Sequence, residues 1–238
     1  MDFERPTVIE RLETPYGELQ LQKRGPHFEV ISNGTFLMAS YNGESERHLV
    51  RAAFKKAHHP AHVLIGGLGV GYSLEEALIH EDVASVTVVE REEAIIRWNA
   101  EHFLSLTNNA VRHPKTRIVH DDISQWMRST EATYDVICLD TDNGPDWLIH
   151  DDNRYIYAEA GLKRWRELLT PDGCVAFWSA NASRDFEKLL ASFFQEVKVV
   201  QVPDPTKRGE PDVVYLGSRR GRPLHFGRSN EKNFPREA

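Results

Sequence analysis

The stretch HVLIGGLGVG, residues 62–71, decides how this 238-residue chain is read. A short apolar run ends in glycines, and YSLEEALIH comes next with the residue types of a helix start. The pattern is that of a buried strand, a tight turn and a helix. Glycines in such a turn let the backbone bend sharply and approach a ligand closely. The helix start behind them offers amides with no partner inside the helix.

Working outward, the segments after Pro60 alternate between apolar strands and helices. HVLIGG is succeeded by a helix after Tyr72, SVTVVE, a helix from Arg91 to about Phe103, TRIVH, and a short helix through Ile123 to Met127. YDVICLD, a helix from about Tyr155 to Leu169, and GCVAFWS continue the series. Near-continuous apolar strands separated by helices predict a mainly parallel, doubly wound sheet covered on both faces. A helix from Arg184 to Phe194 then leads to EVKVVQV and DVVYLGS, which are close enough to pair antiparallel.

Upstream, GELQLQKR, HFEVIS and TFLMAS alternate with period two, and Ser32-Asn33-Gly34 punctuates the last pair as a hairpin turn. This predicts a small antiparallel unit of two to four strands, packed on the α/β segments downstream because it is too small to stand alone. A helix from about Asn42 to Ala57 joins the two parts. The expected organisation is an N-terminal β unit over residues 1–45, an α/β domain over 46–218 and a polar tail over 219–238.

The turn is spaced Gly67-x-Gly69-x-Gly71, with Gly66 before it. A dinucleotide fingerprint needs its third glycine one residue later, where Tyr72 stands, so nicotinamide and flavin dinucleotides fit poorly. Gly-x-Gly-x-Gly is the form usual in adenosylmethionine-binding Rossmann-like folds. Glu90 closes the next strand, nineteen residues beyond Gly71 and just before Arg91; a carboxylate there can accept both hydrogen bonds of a ribose diol. Asp121 comes just past the strand after that. It can accept from an adenine amino group, while Asp122 and Ile123 supply a backbone amide and an apolar wall. Three strands thus end in Gly69, Glu90 and Asp121 at the carboxyl edge, where open α/β sheets bind ligands.

After YDVICL come Asp140, Asp142 and Asp146 around a turn carrying Asn143 and Trp147. Carboxylates crowded at a strand end favour a cationic ligand such as an amine or a sulfonium. Their mutual repulsion can raise one pKa toward that of a general base. Magnesium on Asp140 and Asp142 is the weaker alternative, since no phosphate-cradling lysine accompanies the glycine turn. His58, His59 and His62 cluster, but Pro60 breaks the helix that would align them, so no metal is expected.

Composition narrows the field. Lys and Arg number 29 against 36 Asp and Glu, a net charge of -7 that disfavours a broad contact with nucleic acid. The basic run at Arg219, Arg220 and Arg222 reads as a solvated segment. The apolar stretches are strand-sized, against the roughly twenty residues of a membrane span. The charged start Met-Asp-Phe-Glu-Arg lacks the apolar core of a secretory signal, which leaves a cytoplasmic location as the expectation. Cys138 and Cys174 sit inside apolar strands and are expected as core thiols.

Taken together, HVLIGGLGVG, VTVVE, IVHDD, YDVICLDTDNGP and LLTPDGCVAFW resemble, in this order, the polyamine aminopropyltransferases of the spermidine synthase family, over roughly residues 14–200. The resemblance implies a small β domain on a Rossmann-like class I methyltransferase fold, a homodimer, and transfer of an aminopropyl group from decarboxylated S-adenosylmethionine to a small amine. It implies that Glu90 holds the ribose, Asp121 the adenine, and that Asp140 deprotonates the attacking amine.

The chain departs from the family pattern on the amine side. Gly69 stands where the family has an aspartate for the aminopropyl group, Asn143 where a second amine-binding aspartate is expected, and Gly17 follows Tyr16 in place of a glutamine. The helix that contributes a tyrosine to the amine pocket reads Glu46-Arg47-His48. With Asp142, Asn143 and Trp147 lining the acceptor side and Arg47 directed inward, full S-adenosylmethionine becomes as acceptable a donor as the decarboxylated form. The alternatives are a small-molecule methyltransferase and a noncatalytic nucleoside-binding protein.

Overall fold

The computed structural model describes residues 5–57, 59–141, 143–148, 151–202 and 211–219. The basic run after Arg219 and most of the expected tail lie outside the described residues, as does His58.

Four strands form the N-terminal sheet: β1 (Thr7–Thr14), β2 (Gly17–Arg24), β3 (His27–Ser32) and β4 (Thr35–Ala39), paired antiparallel in that order. Sequence patterning locates the last three; β1 extends the unit upstream. Its residues TVIERLET alternate, but most are exposed, so the apolar face that would announce a strand is thin. β1 is instead tied down by polar contacts: Glu10 accepts from Trp98 Nε1 at 2.7 Å and from Arg97 Nη2 at 2.8 Å.

The main sheet comes after α1 (Glu44–Phe54). Its elements are β5 (His62–Gly66), α2 (Tyr72–Leu78), β6 (Ser85–Glu90), α3 (Glu93–Glu101), β7 (Thr116–His120), α4 (Ile123–Ser129) and β8 (Tyr134–Leu139). Then come α5 (Arg154–Tyr157), α6 (Glu159–Leu168), β9 (Leu169–Ser179), α7 (Arg184–Phe193), β10 (Glu196–Gln201) and β11 (Val213–Ser218). The strand order is β10-β11-β9-β8-β5-β6-β7; β5, β6, β7, β8 and β9 are parallel, while β11 is antiparallel to both β9 and β10. This is the expected doubly wound α/β architecture with a small antiparallel unit added.

Strand alternation distributes the core between two layers. Val63, Ile65, Val136, Cys138 and Ala176 join the layer under α1, α2 and α3, which also receives Leu19, Leu21 and Val30 from the N-terminal sheet. Leu64, Ile137, Leu139, Val175 and Phe177 join the layer under α4, α6 and α7. At about 1.5–3 kcal/mol for each fully buried large apolar side chain, the shared layer fixes the N-terminal unit on the α/β body. Cys138 and Cys174 are buried free thiols, and burial pushes the Cys174 pKa up to about 12.

One expected helix is divided. Between α5 and α6 the chain turns extended at Ala158 (φ -78°, ψ 164°), and Gly161 packs where a side chain would run into the Tyr155 carbonyl. No helix among the described residues is long and apolar enough to cross a membrane.

Candidate active site

β5 pairs with β6 on one side and β8 on the other, so the direction of winding reverses between β5 and β8. Such a reversal leaves a crevice at the carboxyl ends of the strands. The segments leaving those ends are laced together. Gly67 N–H donates to Val89 C=O at 2.9 Å, Asp140 N–H to Gly66 C=O at 3.1 Å, and Asp121 N–H to Glu90 C=O at 3.1 Å. Gly67, Gly69 and Gly71 have φ of 89°, 54° and 102°. Asn99 Nδ2 holds the turn through Gly69 C=O at 2.8 Å.

A cavity of about 280 Å³ lies over this crevice. Gly67, Leu68 and Gly69 form its floor, with Glu90 and Asp140 on either side. The N-terminal sheet closes it with Leu19, Leu37 and Met38, while Val89, Ile95 and Ile123 give it an apolar wall. Gly66 itself packs beneath, where a side chain would meet Leu139 and Ile123; Gly71 starts α2.

Glu90 is 8% exposed, and its carboxyl is fixed by two backbone amides: Leu68 N–H donates to Oε2 at 2.8 Å and Glu92 N–H to Oε1 at 2.8 Å. Burial raises its pKa and these amides oppose the rise. Each oxygen keeps a lone pair for a further donor. Arg91 lines the cavity beside it, with its guanidinium stacked 4.3 Å from the Tyr16 ring centroid.

Asp121 is half-buried at the end of β7, and Asp122 and Ile123, but not Asp121, line the cavity. The Asp122 amide expected for a purine is already engaged, donating to Asp121 Oδ1 at 2.8 Å. The Asp122 carboxylate caps α4, accepting Ser124 N–H at 2.7 Å. A short side chain before a helix competes for local amides in this way.

Asp140 faces the cavity from the end of β8, next to Thr141 and Asn143. Enclosure by protein, then the negative charges of Glu46 and Asp212, push its pKa up to about 8. Thr141 Oγ1 and Trp178 Nε1, from two residues that line this end of the cavity, have no hydrogen-bond partner among the described residues. Asp142 lies outside the described residues. Trp147 is 59% exposed and does not line the cavity, so the expected acceptor wall loses it.

Arg47 also stands elsewhere than expected. Its guanidinium pairs with Glu75 of α2 and lies 4.1 Å from the Tyr72 ring centroid, so it does not line the cavity. The preceding residue, Glu46, does. Successive helical residues differ by about 100° in direction, and here Glu46 takes the cavity side while Arg47 takes the α2 side. Burial raises the Glu46 pKa, while the Ser45 hydroxyl, at 2.8 Å, opposes the rise. Trp178 was equally hidden from sequence reading, because GCVAFWS is apolar throughout and reads as core. Among the described residues no cluster of His, Cys, Asp and Glu could hold a metal ion.

Comparison with known proteins assigns the chain to a family. Residues 44–207 match the model of the spermine/spermidine synthase domain. A polyamine aminopropyltransferase of Ruegeria sp. (strain TM1040) is 28% identical over 158 residues, covering 66% of this chain and 55% of that protein. One of Shigella boydii serotype 4 (strain Sb227) is 26% identical over 159 residues, covering 63% and 53%. The chain therefore spans about half the length of the curated relatives it matches. Among solved structures, spermidine synthase in complex with the transition state analogue AdoDATO superposes with a TM-score of 0.77 at 17% identity, covering 90% of this chain and 74% of that one. Spermidine synthase from Thermotoga maritima gives 0.75 at 17% identity, covering 90% and 73%. With the family model matched over most of its residues, this chain belongs to the spermine/spermidine synthase family.

Proposed function

We propose that the chain is an aminopropyltransferase that moves a propylamine group from decarboxylated S-adenosylmethionine to a small amine. The observation that carries this reading is that Glu90 and Asp140, from strands on either side of the reversal, face one cavity across the glycine turn. Glu90 retains acceptor capacity for a ribose diol. Ile123 and Val89 offer an apolar surface to the purine, with Asp121 close in the chain for the exocyclic amine. The acids at the Asp140 end suit a sulfonium and an amine.

In the reaction, the acceptor nitrogen attacks the propyl carbon beside the sulfonium. The nitrogen–carbon bond forms as the carbon–sulfur bond breaks, and the bonding pair goes to sulfur, leaving neutral methylthioadenosine. The proton lost by the nitrogen passes to the Asp140 carboxylate, whose pKa of about 8 makes it a competent base near neutral pH. Holding the two reactants in line in an enclosed cavity supplies much of the remaining advantage. A small amine is the proposed partner, with a homodimer and a cytoplasmic setting as further proposals.

The test is product analysis after incubation with decarboxylated S-adenosylmethionine and a panel of putrescine, spermidine and monoamines. Methylthioadenosine and an aminopropylated amine are the expected products. S-adenosylhomocysteine formed from full S-adenosylmethionine would instead identify a methyltransferase.

A further inference from the structure

Gly69 gives the cavity no charge, and the space where its side chain would stand holds only Met38 Sδ, at 3.7 Å. Yet the cavity does have a second carboxylate beside Asp140, and α1 supplies it. The first turn of α1 is fixed over the glycine turn by contacts with α2. Ser73 Oγ donates to Glu46 C=O at 3.2 Å, Arg47 pairs with Glu75, and Gly43 packs where a side chain would collide with the Tyr72 ring. These contacts turn Arg47 to α2 and leave Glu46 on the cavity side.

The charge pattern is one-sided. Asp140 is surrounded electrostatically by Glu46 and Asp212, whereas Arg91, the cation lining the cavity among the described residues, acts on Glu90 and Glu92. A ligand group placed between Glu46 and Asp140 is therefore favoured if cationic and penalised if it carries a carboxylate.

Resting on the proposed transfer reaction, we infer that Glu46 is the donor-selecting residue: its carboxylate receives the terminal ammonium of the propylamine arm and rejects a donor that retains its carboxylate. Position 46 thus performs, from α1 rather than from the glycine turn, the charge selection that Gly69 cannot. This reverses the expectation that an inward Arg47 would admit full S-adenosylmethionine.

The test is calorimetric binding of methylthioadenosine, decarboxylated S-adenosylmethionine and S-adenosylmethionine to the full chain and to Glu46→Gln. In the variant, affinity for the decarboxylated donor should fall at least tenfold, and its preference over S-adenosylmethionine should shrink by a similar factor. Methylthioadenosine, which lacks the arm, should bind within twofold of the parent. Adding Gly69→Asp to Glu46→Gln, which returns a carboxylate to the cavity from the floor, should restore the preference; a purely structural role would not be rescued. Equal losses for all three ligands, an unchanged preference, or an effect confined to the acceptor KM would overturn the assignment while leaving the transferase reading intact. Failure of the parent chain to bind any of the three would instead remove the transferase reading, and the assignment with it. Should Glu46→Gln fail to fold, Glu46→Asp provides the same comparison, with a weakened but retained preference expected and an unchanged one contradictory.

Discussion

Glu90 binds the turn that belongs to a different strand: its Oε2 accepts the Leu68 N–H at 2.8 Å, so the floor of the cavity and the proposed ribose ligand are one hydrogen-bonded unit. Replacement by glutamine puts an amide group opposite one of the two backbone N–H donors that the carboxylate satisfies. A hydrogen bond to a charged group contributes about 1.5–3 kcal/mol, so Glu90→Gln should weaken methylthioadenosine binding by about 10- to 100-fold. The same change should lower Tm by roughly 3–12 °C. Calorimetry and thermal unfolding check the two effects separately.

Gly67 and Gly69 differ in what surrounds them, and the difference is measurable. Both have positive φ, but a side chain on Gly67 would collide with the Asp140 carbonyl oxygen, while one on Gly69 would meet only Met38 Sδ in ordinary contact. Gly69→Ala should therefore cost only the left-handed backbone penalty, about 1–2 kcal/mol. Gly67→Ala should cost more and displace Asp140 as well. Urea unfolding gives the order of stability, and the loss of turnover should follow it.

The proton affinity of Asp140 predicts the pH dependence of both activity and stability. With a base of pKa about 8 in the free protein, kcat/KM should rise with pH up to about 8, apart from titration of the amine itself. A bound cation lowers that pKa, so the corresponding limb of kcat should lie at lower pH. Glu46 and Asp212 are the like charges that raise it, so Glu46→Gln should also move the kcat/KM limb downward. For stability the sign is opposite to that of a paired carboxylate. The folded pKa exceeds the ordinary value of 3.8, so Asp140 contributes most below that value and its contribution is lost as pH rises toward about 8. Asp140→Asn should flatten that loss of Tm while reducing turnover by about 100- to 10,000-fold.

Arg47 supplies the contrasting variant. Its partner Glu75 has a side chain only 10% exposed, so removing the guanidinium leaves a largely enclosed carboxylate with less compensation. Arg47→Ala should cost about 1–3 kcal/mol of stability. Methylthioadenosine and donor affinities should remain within twofold, because Arg47 does not line the cavity and the Ser73 hydrogen bond and the Gly43–Tyr72 packing still hold Glu46 in place. Binding calorimetry beside thermal unfolding separates it from Glu46.

The parallel body of the fold was legible because most of its strands are apolar on both faces and they end in abrupt chemical punctuation: Gly66-Gly67, Glu90, Asp121 and Asp140. Strand ends in such a sheet share one edge, so these residues could be placed near one another before any contact was known. Glu46 was not distinguishable from Arg47 in the same way. The apolar stripe of α1 orients Leu49, Val50 and Ala53 inward. The polar run Glu46-Arg47-His48 meets two environments, the cavity and α2, and only tertiary packing separates them. β1 was obscured for the opposite reason, since its anchoring comes from the long-range Glu10 contacts to Arg97 and Trp98 rather than from an apolar face. Trp178 combines a core-like sequence setting with an indole N–H that finds no partner among the described residues, a property visible only in three dimensions.

The most direct measurement is a crystal structure of the chain with methylthioadenosine. The account predicts density in the cavity over Gly67–Gly69, with the ribose hydroxyls donating to the Glu90 carboxylate, the purine against Ile123 and the thioether sulfur toward Asp140. A nucleoside bound elsewhere, or bound in the cavity with its ribose away from Glu90, would contradict it.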